Sequence, residues 1–354
     1  MLNNVYKDDK FLKRVKFLKK SQFWTKKRIY NYQLNLLKEL INYVCYEIPY
    51  YQNYFVKKNI DLNSINSLDF LKKFPIINKK VIQNNPNLFL NLNKKKNFFK
   101  RTTGGSTGTP LTILSDKEFQ IKDKANTVYY TSIFDVNVFK DRSIRIYGDK
   151  IPQRLIKKKI FWYSRNKRQL IFSSFHISSK TFLYYLDKIK SHNPKYIHSR
   201  SSTIFTLANL IHLNKVNFNC NLKYIFVDGE YITKGQRKII EKVFKTRVIN
   251  IYGHTEGALI GHPCEHSNNL HFMPQNGILE LVDRKGKEIK IDGKRGRVIA
   301  TGFNNQILPL LRYETGDVGL KEKKKCKCGR NYFLLKEIEG REQDYVYDKN
   351  KKKV

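Results

Sequence analysis

Short apolar strands alternating with amphipathic helices predict an α/β fold for this chain, with a more antiparallel part toward its C-terminal end. Three observations carry that expectation. The run KYIFVDGE at residues 223–230 is apolar and closed by glycine, the pattern of a buried strand entering a turn. Ile239, Ile240, Val243 and Phe244 then mark one face of a helix, and RVINIYG at 247–253 reads as a second buried strand. Glycine-bounded runs at 277–282 and 296–301 suggest the antiparallel subdomain.

The remaining elements follow in chain order. Residues 1–100 read as a mostly helical segment packed on the main domain, with loops rich in Asn and Lys. Leu36, Leu37, Leu40, Ile41 and Val44 recur at helical spacing, which predicts an amphipathic helix over 33–46. IPYYQNYF at 48–55 follows it, and 53–85 reads as short helices punctuated by Pro75. From Phe99 onward strands and helices alternate, with Ile204, Leu207, Leu210 and Ile211 on one helix face. Ligands in α/β folds sit where strands exit, so the glycine-marked exits after 228 and 252 are the places to look.

Composition narrows the function. The chain has 354 residues, room for one large domain or two ordinary ones, and its 40% hydrophobic and 13% aromatic content excludes wholesale disorder. No apolar run approaches the roughly 20 residues of a membrane-spanning helix. MLNNVYKDDK lacks the apolar centre of a secretory signal, so the expectation is a cytoplasmic protein. Five cysteines at irregular spacing do not suggest a disulfide framework, and the C-x-C pair Cys326 and Cys328 suits a metal better.

The net charge of +39, from 69 Lys+Arg against 30 Asp+Glu, first suggests nucleic acid, because basic surfaces release counterions from phosphates. The lysines are scattered, however, among Asn, Ile and Tyr, as AT-rich coding favours. That bias should raise Glu as well and so does not explain the whole imbalance. Attraction to an anionic membrane or a sugar-phosphate surface, at the inner face of the membrane, is at least as good a reading as nucleic acid.

Four segments carry chemistry. In RTTGGSTGTPL (101–111), Gly104, Gly105 and Gly108 remove side-chain bulk, while Thr102, Thr103, Ser106, Thr107 and Thr109 supply hydroxyls able to wrap a polyphosphate. No Gly-Lys-Ser/Thr closes it, so it is not a Walker loop. INIYGHTEGALIG (249–261) leaves a buried strand with Tyr252 and Gly253. Tyr252 can lie against a purine, Thr255 can donate to a phosphate, and Glu256 can ligate Mg2+. LLRYETGDVG (310–319) places Asp317 after a glycine, suited to accept from both ribose hydroxyls, and EIEGREQDYV (337–346) places Arg341 and Asp344 around a turn. A strand-to-loop exit with an incidental Glu and a turn Asp are the bland alternatives.

In this order the four segments resemble the adenylate-forming (acyl-CoA synthetase/ligase) superfamily, in its phenylacetate–CoA ligase branch, including relatives from capsule and lipopolysaccharide clusters. The resemblance runs from Trp24, through YEIPYYQNYF and LKKFPIINKK, to Val346. It implies the family's large N-terminal domain, a layered α/β fold with an antiparallel β subdomain, over 101–344. It implies that Thr102–Gly108 bind phosphate, that Asp228, Gly229 and Glu230 with Tyr252 take the adenine, and that Thr255 meets the α-phosphate. Glu256 would hold magnesium, Asp317 the ribose and Arg341 the nucleotide, and Asp344 would be the hinge. The implied cofactors are ATP, Mg2+ and coenzyme A, and the implied reaction is conversion of a carboxylic acid to acyl-AMP before transfer to coenzyme A or another acceptor, in polysaccharide biosynthesis. The branch also suggests a structural Zn2+ on Cys264, Cys326 and Cys328, completed by His271 or by His266 as the alternative, set against unpaired cytosolic thiols.

The family continues past its hinge into a small mobile lid domain bearing a lysine that assists adenylation. Ten residues, 345–354, follow Asp344 here, so the expectation is a hinge remnant without that domain, one that binds ATP but adenylates slowly. A truncated, non-catalytic or partner-dependent nucleotide-binding relative is therefore one alternative, and a basic nucleic-acid-binding protein is another. Phe134, Tyr147 and His176 could line the pocket for the acid, though core packing explains an aromatic equally well.

Overall fold

A computed structural model of the chain describes residues 2–94, 98–103 and 110–341. Internal packing divides the chain into two units, Met1–Tyr129 with Tyr252–Val354, and Tyr130–Ile251.

The Tyr130–Ile251 unit is built on a sheet with the order Trp162–Asn166, Gln169–Ser173, Ser143–Tyr147, Tyr196–Arg200, Tyr224–Asp228 and Arg247–Gly253. Only the Trp162–Asn166 edge strand runs antiparallel. All other neighbours are parallel. Parallel neighbours need a crossover, and the helices Phe182–His192, Ser201–Leu213 and Lys234–Phe244 supply them. The last shows why its sequence folds so. Thr233 accepts from the Gln236 N–H at 3.1 Å while the Gln236 side chain accepts from the Thr233 N–H at 3.0 Å, a reciprocal cap, and Lys245 ends the helix at φ +49°. Ile240 and Phe244 then pack with Ile197, Ile225 and Val248 into a core of fully buried side chains.

In the other unit, the helix Lys26–Glu47 starts earlier than the apolar spacing alone indicates. The reason is Thr25, whose hydroxyl accepts from the Arg28 N–H at 3.2 Å. Leu37, Leu40, Ile41 and Val44 form its buried face, as the spacing predicts. Pro49 ends the helix by forcing Ile48 into an extended conformation and opens the next one, Pro49–Lys57. Tyr51 on that helix is fully buried, and its hydroxyl accepts from the Leu311 N–H at 3.0 Å.

The antiparallel expectation is also met in this unit. Gly277–Val282, Arg295–Gly302, Tyr313–Lys321, Phe333–Arg341, Leu270–Phe272 and Ile260–His262 lie side by side in that order, every neighbouring pair antiparallel where the register is defined. Buried Arg312 ties the helical segment to this sheet, pairing with Glu280 at 3.1 Å and donating to the Phe74 carbonyl at 2.9 Å. No helix among the described residues is long and apolar enough to cross a membrane.

Candidate functional site

The strand Arg247–Gly253 delivers Tyr252 at its end, where the Tyr252 hydroxyl donates to Asp317 Oδ2 at 2.7 Å. Burial, then the neighbouring Asp317 carboxylate, pushes the Tyr252 phenol well above its ordinary pKa, so it stays a donor. Asp317 is held from its own side too, its N–H donating to Thr315 Oγ1 at 3.2 Å. Gly316 before it has φ +82°, and the pairing with Phe333–Arg341 shifts register just after it, a bulge that sets the direction of the Asp317 side chain. Opposite Asp317 in that register stands Arg341. Three residues from three separate motifs, Tyr252, Asp317 and Arg341, thus meet in the strand pairing or through a hydrogen bond.

Four residues past Tyr252 the chain turns, with the Gly257 N–H bonded to the His254 carbonyl at 2.9 Å. The turn buries Glu256, which is only 8% exposed. Its Oε1 accepts from the Tyr313 hydroxyl at 2.7 Å and its Oε2 from His254 Nδ1 at 3.1 Å. The Leu259 N–H donates to His254 Nε2 at 3.2 Å, which leaves the imidazole proton on Nδ1 for Glu256. Burial works to raise the Glu256 pKa, but His254 and then Tyr313 outweigh it and hold the carboxyl down to about 2. The result is a carboxylate ionised across the physiological range, with lone pairs left on both oxygens. Thr255 is half-buried, and its side chain makes no hydrogen bond to a described residue. Tyr313 and His254 were not singled out in the sequence, although both lie inside quoted motifs.

The glycine-rich segment begins at a hairpin of Phe99–Thr102 against Thr112–Ser115. Thr102 is exposed in the last pair, with Thr112. Thr103 is buried and closes the base of the loop, its hydroxyl accepting from the Leu111 N–H at 2.9 Å. Gly104, Gly105, Ser106, Thr107 and Gly108 lie outside the described residues, as do Asp344 and the segment 345–354.

Within the Tyr130–Ile251 unit, Asp228 ends its strand and accepts from the Tyr147 hydroxyl and from His198 Nε2, each at 3.0 Å. Gly229 follows with φ +69°. The Glu230 carboxylate accepts from the Ser202 N–H at 2.9 Å, at the start of the helix Ser201–Leu213.

A separate cluster joins Cys264, His271, Cys326 and Cys328, whose candidate ligand atoms all lie within 4.8 Å of one another. Cys264 Sγ is 3.4 Å from Cys326 Sγ, and Cys328 Sγ is 3.2 Å from His271 Nε2. Ligands about 2.3 Å from a tetrahedral ion stand about 3.8 Å apart, so the set fits zinc with small adjustments. His271 Nδ1 lies 3.1 Å from the Asn269 carbonyl, the contact that fixes the ring and points Nε2 at the sulfurs. Burial pushes the Cys264 thiol up to about 12, a cost that a cation removes by taking the thiolate. Of the two histidines the sequence left open, His271 is the one in the cluster, while His266 is exposed.

No family model matches the chain. It is similar to protein CapK of Staphylococcus aureus, 28% identical over 329 residues that cover 91% of this chain and 70% of that protein. It is also similar to the phenylacetate-coenzyme A ligase of Thermus thermophilus, 30% identical over 129 residues, 36% of this chain and 29% of that protein. Among solved structures, 2-hydroxyisobutyryl-CoA ligase in its postadenylation state matches with a TM-score of 0.75 at 16% identity, over 94% of this chain and 72% of that one. At that identity the likeness concerns the fold, and it agrees with the layered α/β expectation.

Proposed function

We propose that this chain, which belongs to the adenylate-forming ligase superfamily and its phenylacetate–CoA ligase-like branch, activates a carboxylic acid with ATP. The carboxylate attacks the α-phosphorus, the acyl-AMP forms, and pyrophosphate leaves. The observation that supports this most is the joining of motifs within one unit, Tyr252 to Asp317 and Glu256 to Tyr313. Asp317 would accept from the ribose hydroxyls and Tyr252 would lie beside the base. Thr255 would donate to the α-phosphate, and Asp228, Gly229, Glu230 and Arg341 keep the nucleotide roles the resemblance gives them.

An ionised oxygen ligand that is held rigidly and does not need to lose a proton suits a hard cation, so Glu256 would hold Mg2+ together with phosphate oxygens. Bound magnesium would neutralise charge on the phosphates during displacement. The protein's own work is then to orient: the Tyr313 and His254 hydrogen bonds fix Glu256, and the Tyr252 hydrogen bond fixes Asp317. Cys264, His271, Cys326 and Cys328 would hold a structural zinc.

Transfer to coenzyme A or another acceptor, in polysaccharide biosynthesis, follows from the resemblance. A cytoplasmic location at an anionic inner membrane surface is supported by the net charge of +39. Exchange of labelled pyrophosphate into ATP, measured across a panel of carboxylic acids, tests the reading. Exchange that requires both an acid and Mg2+ is the expected outcome. Failure of the chain to bind ATP or AMP by calorimetry would overturn it.

A further inference from the structure

We infer that the segment 283–294 and the neighbouring lysines of 321–325 form a surface that docks on an anionic lipid bilayer. The inference rests on the membrane location proposed above, which it deepens, and is independent of the adenylating chemistry. Both segments belong to the unit of Met1–Tyr129 with Tyr252–Val354 and contain none of the nucleotide or metal residues.

The segment 283–294 joins the strands Gly277–Val282 and Arg295–Gly302 and carries Arg284, Lys285, Lys287, Lys290 and Lys294. Its acids are all engaged within the protein. Asp283 Oδ1 accepts from the Lys285 and Lys287 N–H groups, each at 2.9 Å, and so shapes the turn. Glu288 pairs with Lys72 at 2.7 Å and Asp292 with Lys321 at 3.1 Å. Lys285, Lys287, Lys290 and Lys294 have no ion-pair partner among the described residues. Three of them, Lys287, Lys290 and Lys294, line one cleft of about 830 Å3. Like charges gathered in this way repel one another until a polyanion meets them.

The lysines of 321–325 extend the same patch. Lys321 Nζ donates to the Lys290 carbonyl at 2.6 Å, and a Cβ added at Gly293 would collide with Lys323 Cε. Glycine at 293, with φ +73°, therefore lets the two basic segments touch. Lys323, Lys324 and Lys325 are exposed.

Ile291 decides which polyanion the patch suits. It is 66% exposed among these lysines, whereas Ile289, two residues earlier, packs against the core. Both isoleucines line the cleft. An aliphatic side chain so placed gains on entering the boundary between headgroups and acyl chains while the lysines meet lipid phosphates. On a nucleic acid it would gain little, and the segment has no helix to place in a groove.

Vesicles of phosphatidylcholine alone, or of phosphatidylcholine and phosphatidylglycerol in equal parts, are sedimented with the full chain to test this. Binding should require phosphatidylglycerol and weaken as salt rises. Lys285→Gln, Lys287→Gln, Lys290→Gln and Lys294→Gln together should lower it by about 100-fold or more, at roughly fivefold per lysine. Ile291→Ala should lower it by about 3- to 10-fold. A matched control, Lys157→Gln, Lys158→Gln, Lys167→Gln and Lys180→Gln together, removes the same charge from exposed positions of the other unit and should lose far less. Should the first quadruple variant fail to melt like wild type, hydrogen exchange of the wild-type chain decides, with slower exchange over 283–294 expected on anionic vesicles. Equal losses in the two quadruple variants, wild-type binding in the first, or no slowing of exchange would overturn this surface and leave the membrane location standing. Tighter binding to duplex DNA than to vesicles of equal phosphate content would overturn the bilayer as the partner. No binding to anionic vesicles would overturn both the surface and the membrane location, while the pyrophosphate-exchange test of adenylation is unaffected.

Discussion

The Tyr252 hydroxyl donates to Asp317 Oδ2 at 2.7 Å, joining two motifs 65 residues apart. One carboxylate oxygen is thereby oriented before any nucleotide arrives, which lowers the ordering cost of binding. Asp317→Ala should weaken AMP and ATP by about 10- to 100-fold, the usual worth of hydrogen bonds to a charged group. Tyr252→Phe keeps the ring and loses only the orienting contact, so a smaller effect, about 2- to 10-fold, is expected. Calorimetry with AMP checks both, and wild-type affinity in Asp317→Ala would remove Asp317 from the site.

Much of this was legible in the sequence, for physical reasons. The strand Arg247–Gly253 is apolar along its length and closed by glycine, so its limits coincide with the reading. Leu37, Leu40, Ile41 and Val44 gave the buried face of Lys26–Glu47, but its start depends on one hydroxyl, Thr25, outside the apolar pattern. Tyr313 shows the limit more plainly. Its link to Glu256 spans 57 residues and arises from strand pairing, which periodicity within a single segment does not encode. The presence of His271, and not His266, beside Cys264, Cys326 and Cys328 likewise depends on pairing, since His271 lies on a short strand that faces His262.

Metal content separates the two histidines that the sequence left open. Purified protein should carry about one zinc per chain, retained in His266→Ala and lost in His271→Ala and Cys328→Ser. The cluster draws on the segment after Ile260–His262, the strand Leu270–Phe272 and the segment before Phe333–Arg341, so removing the ion should also lower the Tm. A metal-free preparation of full thermal stability would end the structural-zinc reading.

Gly257 follows Glu256 at φ +68°, and a Cβ there would lie 2.3 Å from the Phe119 ring. Gly257→Ala should therefore destabilise by about 2–4 kcal/mol, strain and overpacking acting together. Adding Phe119→Leu should recover the part due to the clash and leave the part due to φ. Urea unfolding of the single and double variants measures the split. A Gly257→Ala protein as stable as wild type would show that this turn is free to move.

Glu256 links stability, pH and metal, and the sign of each effect can be stated in advance. Its pKa falls from 4.5 to about 2 on folding, a difference worth about 3 kcal/mol. Because the folded value is the lower one, that stability is fully present above 4.5 and is lost as pH falls through the folded value. Glu256→Gln should accordingly be less stable than wild type near neutrality, with a gap that is flat above about pH 5 and narrows steadily below it. Tyr313→Phe removes one of the hydrogen bonds that lower the pKa, so its acid-dependent loss should start at the same pH as in wild type, be smaller, and be complete at a higher pH. The same Glu256→Gln protein separates structure from chemistry. If Glu256 ligates magnesium, AMP binding should survive the substitution while Mg2+ no longer strengthens ATP binding, because the amide offers a neutral and weaker ligand. A variant in which Mg2+ strengthens ATP binding as much as in wild type would leave Glu256 as a buried anchor for Tyr313 and His254 and would place the cation on other groups.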